Sequence, residues 1–255
     1  MTAADAFFKN AAGTCGPDVP TIYSEEGGHA GAVSENRLAL KHIVREPVGG
    51  GRAAPPLLLL LHGVGSNEDD LFALAPYLDE RFLVVSARAP VALDYGGYGW
   101  FRIDFTPRGM EADVGQAKKS LEMLPDFIDG LVEAYGADAG RVYLAGFSQG
   151  AMMSLALLLT RPEKLAGVVA MSGRLPVNVL GREPDRESLK GKPVMVTHGL
   201  YDPVLPVENG RAAREYLGGL PVALTYREYP MAHEVSMESL RDVTQWLTDA
   251  LDEGG

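Results

Sequence analysis

The sequence predicts an α/β fold, a mostly parallel central sheet of about seven strands with helices on both faces. Three observations predict it. Short β-rich runs recur along the chain at strand length. Stretches with apolar residues at three-to-four spacing separate the later runs. Most of the runs are almost wholly apolar, as strands covered by helices on both faces must be.

The strands are expected at Leu38 to Arg45, Leu57 to Leu61, Phe82 to Ser86, Val142 to Ala145, Gly167 to Met171, Val194 to Thr197 and Leu224 to Glu228. Pro47 to Pro56, with Gly49, Gly50 and Gly51, reads as the turn joining the first two. The first helix is expected over Glu68 to Leu78, after the His62-Gly63 turn. The second spans Gln116 to Tyr135, where Leu121, Leu124, Ile128, Leu131 and Val132 form one stripe that Pro125 interrupts. Gln149 to Leu159 is so apolar that it must be buried all round. Asn209 to Leu217 follows, and then Val235 to Leu251, with Val235, Leu240, Val243 and Leu247 inward and acids outward. Two connections, Arg88 to Gly115 and Ser172 to Pro193, exceed the ~12–15 residues above which a loop is usually functional or disordered.

Residues 1–36 offer few anchors, chiefly Phe7, Phe8, Ile22 and Tyr23, and read as a partly ordered arm. Residues 37–255 read as a single domain, with neither an internal repeat nor a dividing linker. At 255 residues and 46 % hydrophobic, the chain has material for a sizeable core. Its formal charge of −11 and lack of a Lys/Arg run argue against nucleic acid and anionic membrane surfaces as partners. The longest apolar run, Leu57 to Leu61, is far short of the ~20 residues that span a bilayer. Met1 to Asn10 lacks the apolar core of a secretory signal. Cys15 is the single cysteine, so an internal disulfide is excluded and a cytoplasmic setting is expected.

The chemistry centres on Gly146-Phe147-Ser148-Gln149-Gly150, a G-x-S-x-G between the expected strand VYLA and the apolar helix AMMSLALLL. Alone, the pentapeptide is weak. In this context it describes a sharp strand-to-helix turn that lifts Ser148 above the carboxyl ends of the sheet. The turn also sets the Gln149 N–H at a helix start, where donors lack backbone partners and an oxyanion is favoured. The bland alternative is a tight turn with a solvent-facing serine.

A nucleophilic hydroxyl needs a base, and the base an orienting carboxylate, in the order Ser, Asp or Glu, His. Only His198 and His233 follow Ser148. His198 directly follows a strand and suits a structural role as a neutral imidazole bonded to backbone. His233 lies in the loop between the last strand and the last helix, from which it could reach Ser148. For the acid, Asp202 lies just past a strand end in HGLYDP. Asp185 sits in a charged loop and Glu208 opens a helix, where a first-turn acid is ordinary. His62-Gly63-Val64-Gly65 follows LLLLL, and the Val64 N–H is the natural second oxyanion donor. His62 itself reads as a brace for this loop, and Asn67, Asp69 and Asp70 as helix-cap and first-turn residues. Trp100, in GYGWF, would either wall an acyl pocket or anchor its loop to the core, and Leu205 is a further candidate for the pocket. A metal shared by His198, Asp202 and His233 would lack the close two-His spacing such sites use, and a nucleophilic Cys15 would need a base it does not have nearby.

The ordered blocks LLLLLHGVGSNEDDL, LAGFSQGAMMSLALLL, AMSGRLP, HGLYDPVLPVENG and YPMAHEV resemble the phospholipase/carboxylesterase family of α/β-hydrolases, which includes the acyl-protein thioesterases. The resemblance covers approximately residues 38 to 250. It implies the α/β-hydrolase fold and a serine esterase without cofactor, with Ser148, Asp202 and His233 as the triad, Val64 and Gln149 as oxyanion donors, and frequent homodimers. The arm before residue 37 and the acid-rich segment Gly181 to Lys190 depart from the family pattern. The expected activity is hydrolysis of short- to medium-chain carboxylic esters or thioesters through an acyl-enzyme on Ser148. Acyl transfer to another acceptor and a non-catalytic binding protein on the same scaffold are the alternatives.

Overall fold

The computed structural model describes residues 38–49, 54–106, 109–181 and 183–253. The N-terminal arm and Cys15 lie outside the described residues. In chain order the elements are β1 (His42–Arg45), β2 (Leu57–Leu61), α1 (Glu68–Phe72), β3 (Leu83–Ala87), β4 (Val91–Ala92), β5 (Tyr98–Gly99), β6 (Ile103–Thr106) and β7 (Gly109–Ala112). There follow α2 (Val114–Tyr135), β8 (Val142–Phe147), α3 (Gln149–Thr160), β9 (Gly167–Met171), β10 (Pro193–Gly199), α4 (Glu208–Gly218), β11 (Ala223–Tyr229) and α5 (Met237–Glu253).

Seven strands form one sheet in the order β1-β3-β2-β8-β9-β10-β11. All neighbours pair parallel except β1, which runs antiparallel to β3. This is the α/β-hydrolase arrangement that the sequence leads one to expect. The run of leucines in β2 has its reason here. Leu57, Leu59 and Leu61 enter the core beneath α2, α3 and α4, while Leu58 and Leu60 enter the core beneath α1 and α5. Both faces of the strand are dry, so no position can be polar. The two edge strands, β1 and β11, are more polar and only partly buried, because each has one open flank.

The structure corrects four local expectations. The first helix stops at Phe72, and a 3₁₀ turn, Ala75–Tyr77, follows. Pro76 is the cause, since it has no N–H to give to the carbonyl four residues back. Helix α2 runs straight through Pro125 rather than being interrupted. A mid-helix proline costs about 3 kcal/mol, but each large side chain buried gains ~1.5–3 kcal/mol. Leu124, Phe127, Ile128 and Leu131 are all buried on that helix and outweigh it. Helix α5 starts two residues late, at Met237, where Ser236 Oγ accepts the Ser239 N–H (3.2 Å). Val235 before the cap and Leu240 inside the helix join the same core cluster, as in a hydrophobic staple. Finally, the long connection from Arg88 holds two hairpins, β4 with β5 and β6 with β7. Among the described residues no helix is long and apolar enough to cross a membrane.

Candidate active site

Ser148 stands between β8 and α3 with φ +53° and ψ −112°, a left-handed conformation that an L side chain adopts at a cost. The surroundings hold it there. Its N–H donates to Met171 O (2.9 Å) and its carbonyl accepts the Met152 N–H (3.1 Å). The two glycines of the pentapeptide let the backbones pass. A Cβ on Gly146 would lie 2.4 Å from the Gly150 carbonyl carbon, and one on Gly150 would lie 1.8 Å from Leu61 O. The same close passage brings the His62–Gly65 turn alongside the serine, since a Cβ on Gly63 would meet Ser148 Cβ at 3.5 Å.

The loop after β11 carries His233 to the serine. Its Nε2 lies 2.9 Å from Ser148 Oγ and its Nδ1 lies 2.6 Å from Asp202 Oδ2. The carboxylate can only accept, so Nδ1 carries the proton and Nε2 is left to accept from the hydroxyl. The Phe147 ring packs against the imidazole with centroids 4.9 Å apart. Asp202 lies just past β10, and its other oxygen, Oδ1, accepts the N–H groups of Val204 and Leu205, each at 2.8 Å. Burial pushes this carboxyl up. Hydrogen bonds from His233 and from the Leu205 and Val204 amides outweigh it and hold the group below the ordinary value of 3.8.

The other sequence candidates fall into place around this chain of contacts. His198 is fully buried and donates from Nε2 to Leu205 O (2.7 Å), bracing the loop that presents Asp202. Glu208 opens α4, and Asp185 caps a turn by accepting from Glu187 N and Ser188 Oγ. His62 gives its Nδ1–H to Gly63 O (2.7 Å) and accepts the Ala89 N–H on Nε2 (3.0 Å), so it braces the turn as expected. Asn67 caps α1 through the Asp69 N–H, and Asp70 accepts from Ser66 Oγ. Trp100 fits the second of its two readings. It is fully buried with its indole N–H on His62 O (3.0 Å), so it anchors its loop to the core rather than walling a pocket. Leu205 is also buried, its main chain committed to Asp202 and His198. Among the described residues no group of three or more His, Cys, Asp or Glu is arranged to hold a metal ion.

Two features had no signal in the sequence. Glu68, buried inside α1, takes a two-point ion pair from Arg88 with both distances at 2.5 Å, and the guanidinium covers the Tyr98 ring at 4.3 Å. The side chain of Gln149 accepts the Trp100 N–H on Oε1 (2.6 Å) and donates from Nε2 to Phe101 O (2.7 Å).

Acid should loosen this architecture. Burial lowers the values of His62 and of His42, whose ring lies between Leu40 O and the Tyr135 hydroxyl (2.9 Å each). Unfolded, both would titrate near 6.5. The unfolded chain therefore binds more protons below that pH, and stability is complete above it and lost as pH falls through the lower folded values. The urea midpoint should drop between about pH 7.5 and about pH 5, and less steeply in His42→Gln. A midpoint that stays level over that interval refutes the assignment.

The chain is 31 % identical over 206 residues to a probable carboxylesterase, SOBER1-like, of Arabidopsis thaliana, covering 76 % of this chain and 78 % of that protein. It is 32 % identical over 214 residues to acyl-protein thioesterase 1 of Kluyveromyces lactis, covering 78 % and 93 %. The crystal structure of the Bacillus cereus carboxylesterase superposes with a TM-score of 0.72 at 26 % identity, over 85 % of this chain and all of that one. The model of the phospholipase/carboxylesterase family matches residues 46–251, and the chain belongs to that family.

Proposed function

We propose that the protein is a serine carboxylesterase that cleaves short- to medium-chain carboxylic esters or thioesters through an acyl-enzyme. The observation that carries this reading is the continuous path from Ser148 Oγ through both nitrogens of His233 to Asp202. Membership of the family and likeness to a carboxylesterase and an acyl-protein thioesterase support it.

In this reading His233 Nε2 takes the hydroxyl proton as Ser148 Oγ forms a bond to the carbonyl carbon. The carbonyl π pair moves onto oxygen, where the N–H groups of Val64 and Gln149 receive it. Asp202, kept ionised by its amide donors, stabilises the imidazolium. The carbon–oxygen or carbon–sulfur bond to the leaving group then breaks, and the imidazolium returns its proton to that group. Water repeats the attack on the acyl-Ser148 ester, His233 again taking and returning one proton.

The test is turnover of an activated butyrate ester together with labelling by a fluorophosphonate, the modified peptide being mapped to Ser148. Absence of both, or a label elsewhere, refutes the reading. Among p-nitrophenyl esters, kcat/KM should peak below about ten acyl carbons, because the described residues of the Arg88 loop form short hairpins and include no long apolar helix. A maximum on long-chain esters would contradict this.

A further inference from the structure

Gln149 does two separate things in this fold. Its main-chain N–H opens α3 beside the serine, while its side chain is 1 % exposed and points at residues 99–101, the end of β5 and the two residues after it. There the amide is used in both senses, accepting the Trp100 N–H and donating to Phe101 O. The same segment is tied to the turn that carries Val64. Gly65 N–H donates to Tyr98 O (2.8 Å), and Tyr98 N–H donates to Ser66 O (2.7 Å). Gly97 presses on that turn so closely that a Cβ there would lie 2.2 Å from Gly65 O. Trp100 adds its indole bond to His62 O, and Ser120 Oγ secures the Trp100 carbonyl from below (2.5 Å). Residues 97–101 thus bridge the two segments that bear Val64 and Gln149, and the Gln149 amide is the tie at one end.

We infer that the side chain of Gln149 is a positioning residue that sets the spacing of the two oxyanion donors, Val64 N–H and Gln149 N–H, by clamping α3 to the Trp100–Phe101 segment after β5. The inference rests on the esterase reading and adds a role for a side chain that does not touch the substrate. A primary amide suits the task because it offers one acceptor and one donor side by side. Donors held in advance stabilise the oxyanion without reorganising, and an error of about 1 Å in placement costs about a hundredfold in rate.

Gln149→Met keeps the length of the side chain and the main-chain N–H but removes both bonds. It should lower kcat by about 30- to 100-fold, with KM unchanged within about twofold. Affinity for a trifluoromethyl ketone, whose serine adduct carries the oxyanion, should fall by the same factor. Gln149→Glu supplies a control that does not depend on stability. When neutral, the introduced carboxyl again offers one donor and one acceptor, and burial raises its value. The ratio of its kcat/KM to wild type should climb as pH falls from about 8 to about 5.5, while the ratio for Gln149→Met stays level. A Gln149→Met enzyme within threefold of an active wild type overturns this inference alone, as does loss of kcat with no change in ketone affinity, or a level ratio for Gln149→Glu. A wild type without turnover overturns the esterase reading, and this inference with it.

Discussion

Ser148→Ala is expected to lower kcat/KM on an activated butyrate ester by about 10⁴–10⁶-fold and to abolish fluorophosphonate labelling. The hydroxyl is the only group on the path able to form the acyl bond, and neither His233 nor Asp202 can replace it in that position. Stability should change little. The variant loses one hydroxyl-to-imidazole hydrogen bond, worth about 0.5–1.5 kcal/mol. It keeps the left-handed backbone, because that conformation is imposed by Met171 O, Met152 N–H and the passage of Gly150 over Leu61. The result to look for is a folded, inactive protein with a urea midpoint near that of wild type. Turnover within tenfold of wild type would remove Ser148 as the nucleophile.

Asp202→Asn is expected to lower kcat by about 10⁴-fold through the proton on His233 rather than through any loss of geometry. The amide oxygen of the variant can still accept from Val204 N–H and Leu205 N–H. Its NH₂ then faces His233 Nδ1 and donates to it. That nitrogen must become an acceptor, the proton moves to Nε2, and Nε2 can no longer accept from the Ser148 hydroxyl. KM should stay within about threefold, since no substrate contact is altered. Proton-coupled ¹⁵N shifts of His233 would report the tautomer directly. A variant with the same tautomer as wild type, or with kcat reduced less than tenfold, would show that Asp202 does not orient the base.

Much of the fold could be read along the chain because its strands are short-range facts. Leu57–Leu61 and Gly167–Met171 occupy the expected residues, and the other strands differ by a few residues at their ends. The polar character of β1 and β11 follows from lying at the two edges of the sheet, a property of strand order that a linear pattern only hints at. Only two histidines follow Ser148, and position relative to the expected strand ends, together with the order Ser, Asp, His, singled out His233 and Asp202, which the fold brings into hydrogen-bonding distance of one another, with His233 also reaching the serine. Trp100 was open to two readings, since an aromatic in a long loop looks the same whether it meets a ligand or the core. The Arg88–Glu68 pair and the clamp of Gln149 carried no local pattern at all.

What the amino-acid order by itself determined is everything governed by near neighbours. This covers the dry strands, the helix start at Asn67, and the glycine-flanked serine turn whose backbone no larger residues could form. The tertiary structure alone decided which side chain meets which across the sheet. Partners such as Gln149 and Trp100 are 49 residues apart, and Ser148 and His233 are 85 apart. The physical reason is that such contacts depend on strand register and on the close passage of backbones, which the whole fold sets at once and no single stretch of chain encodes.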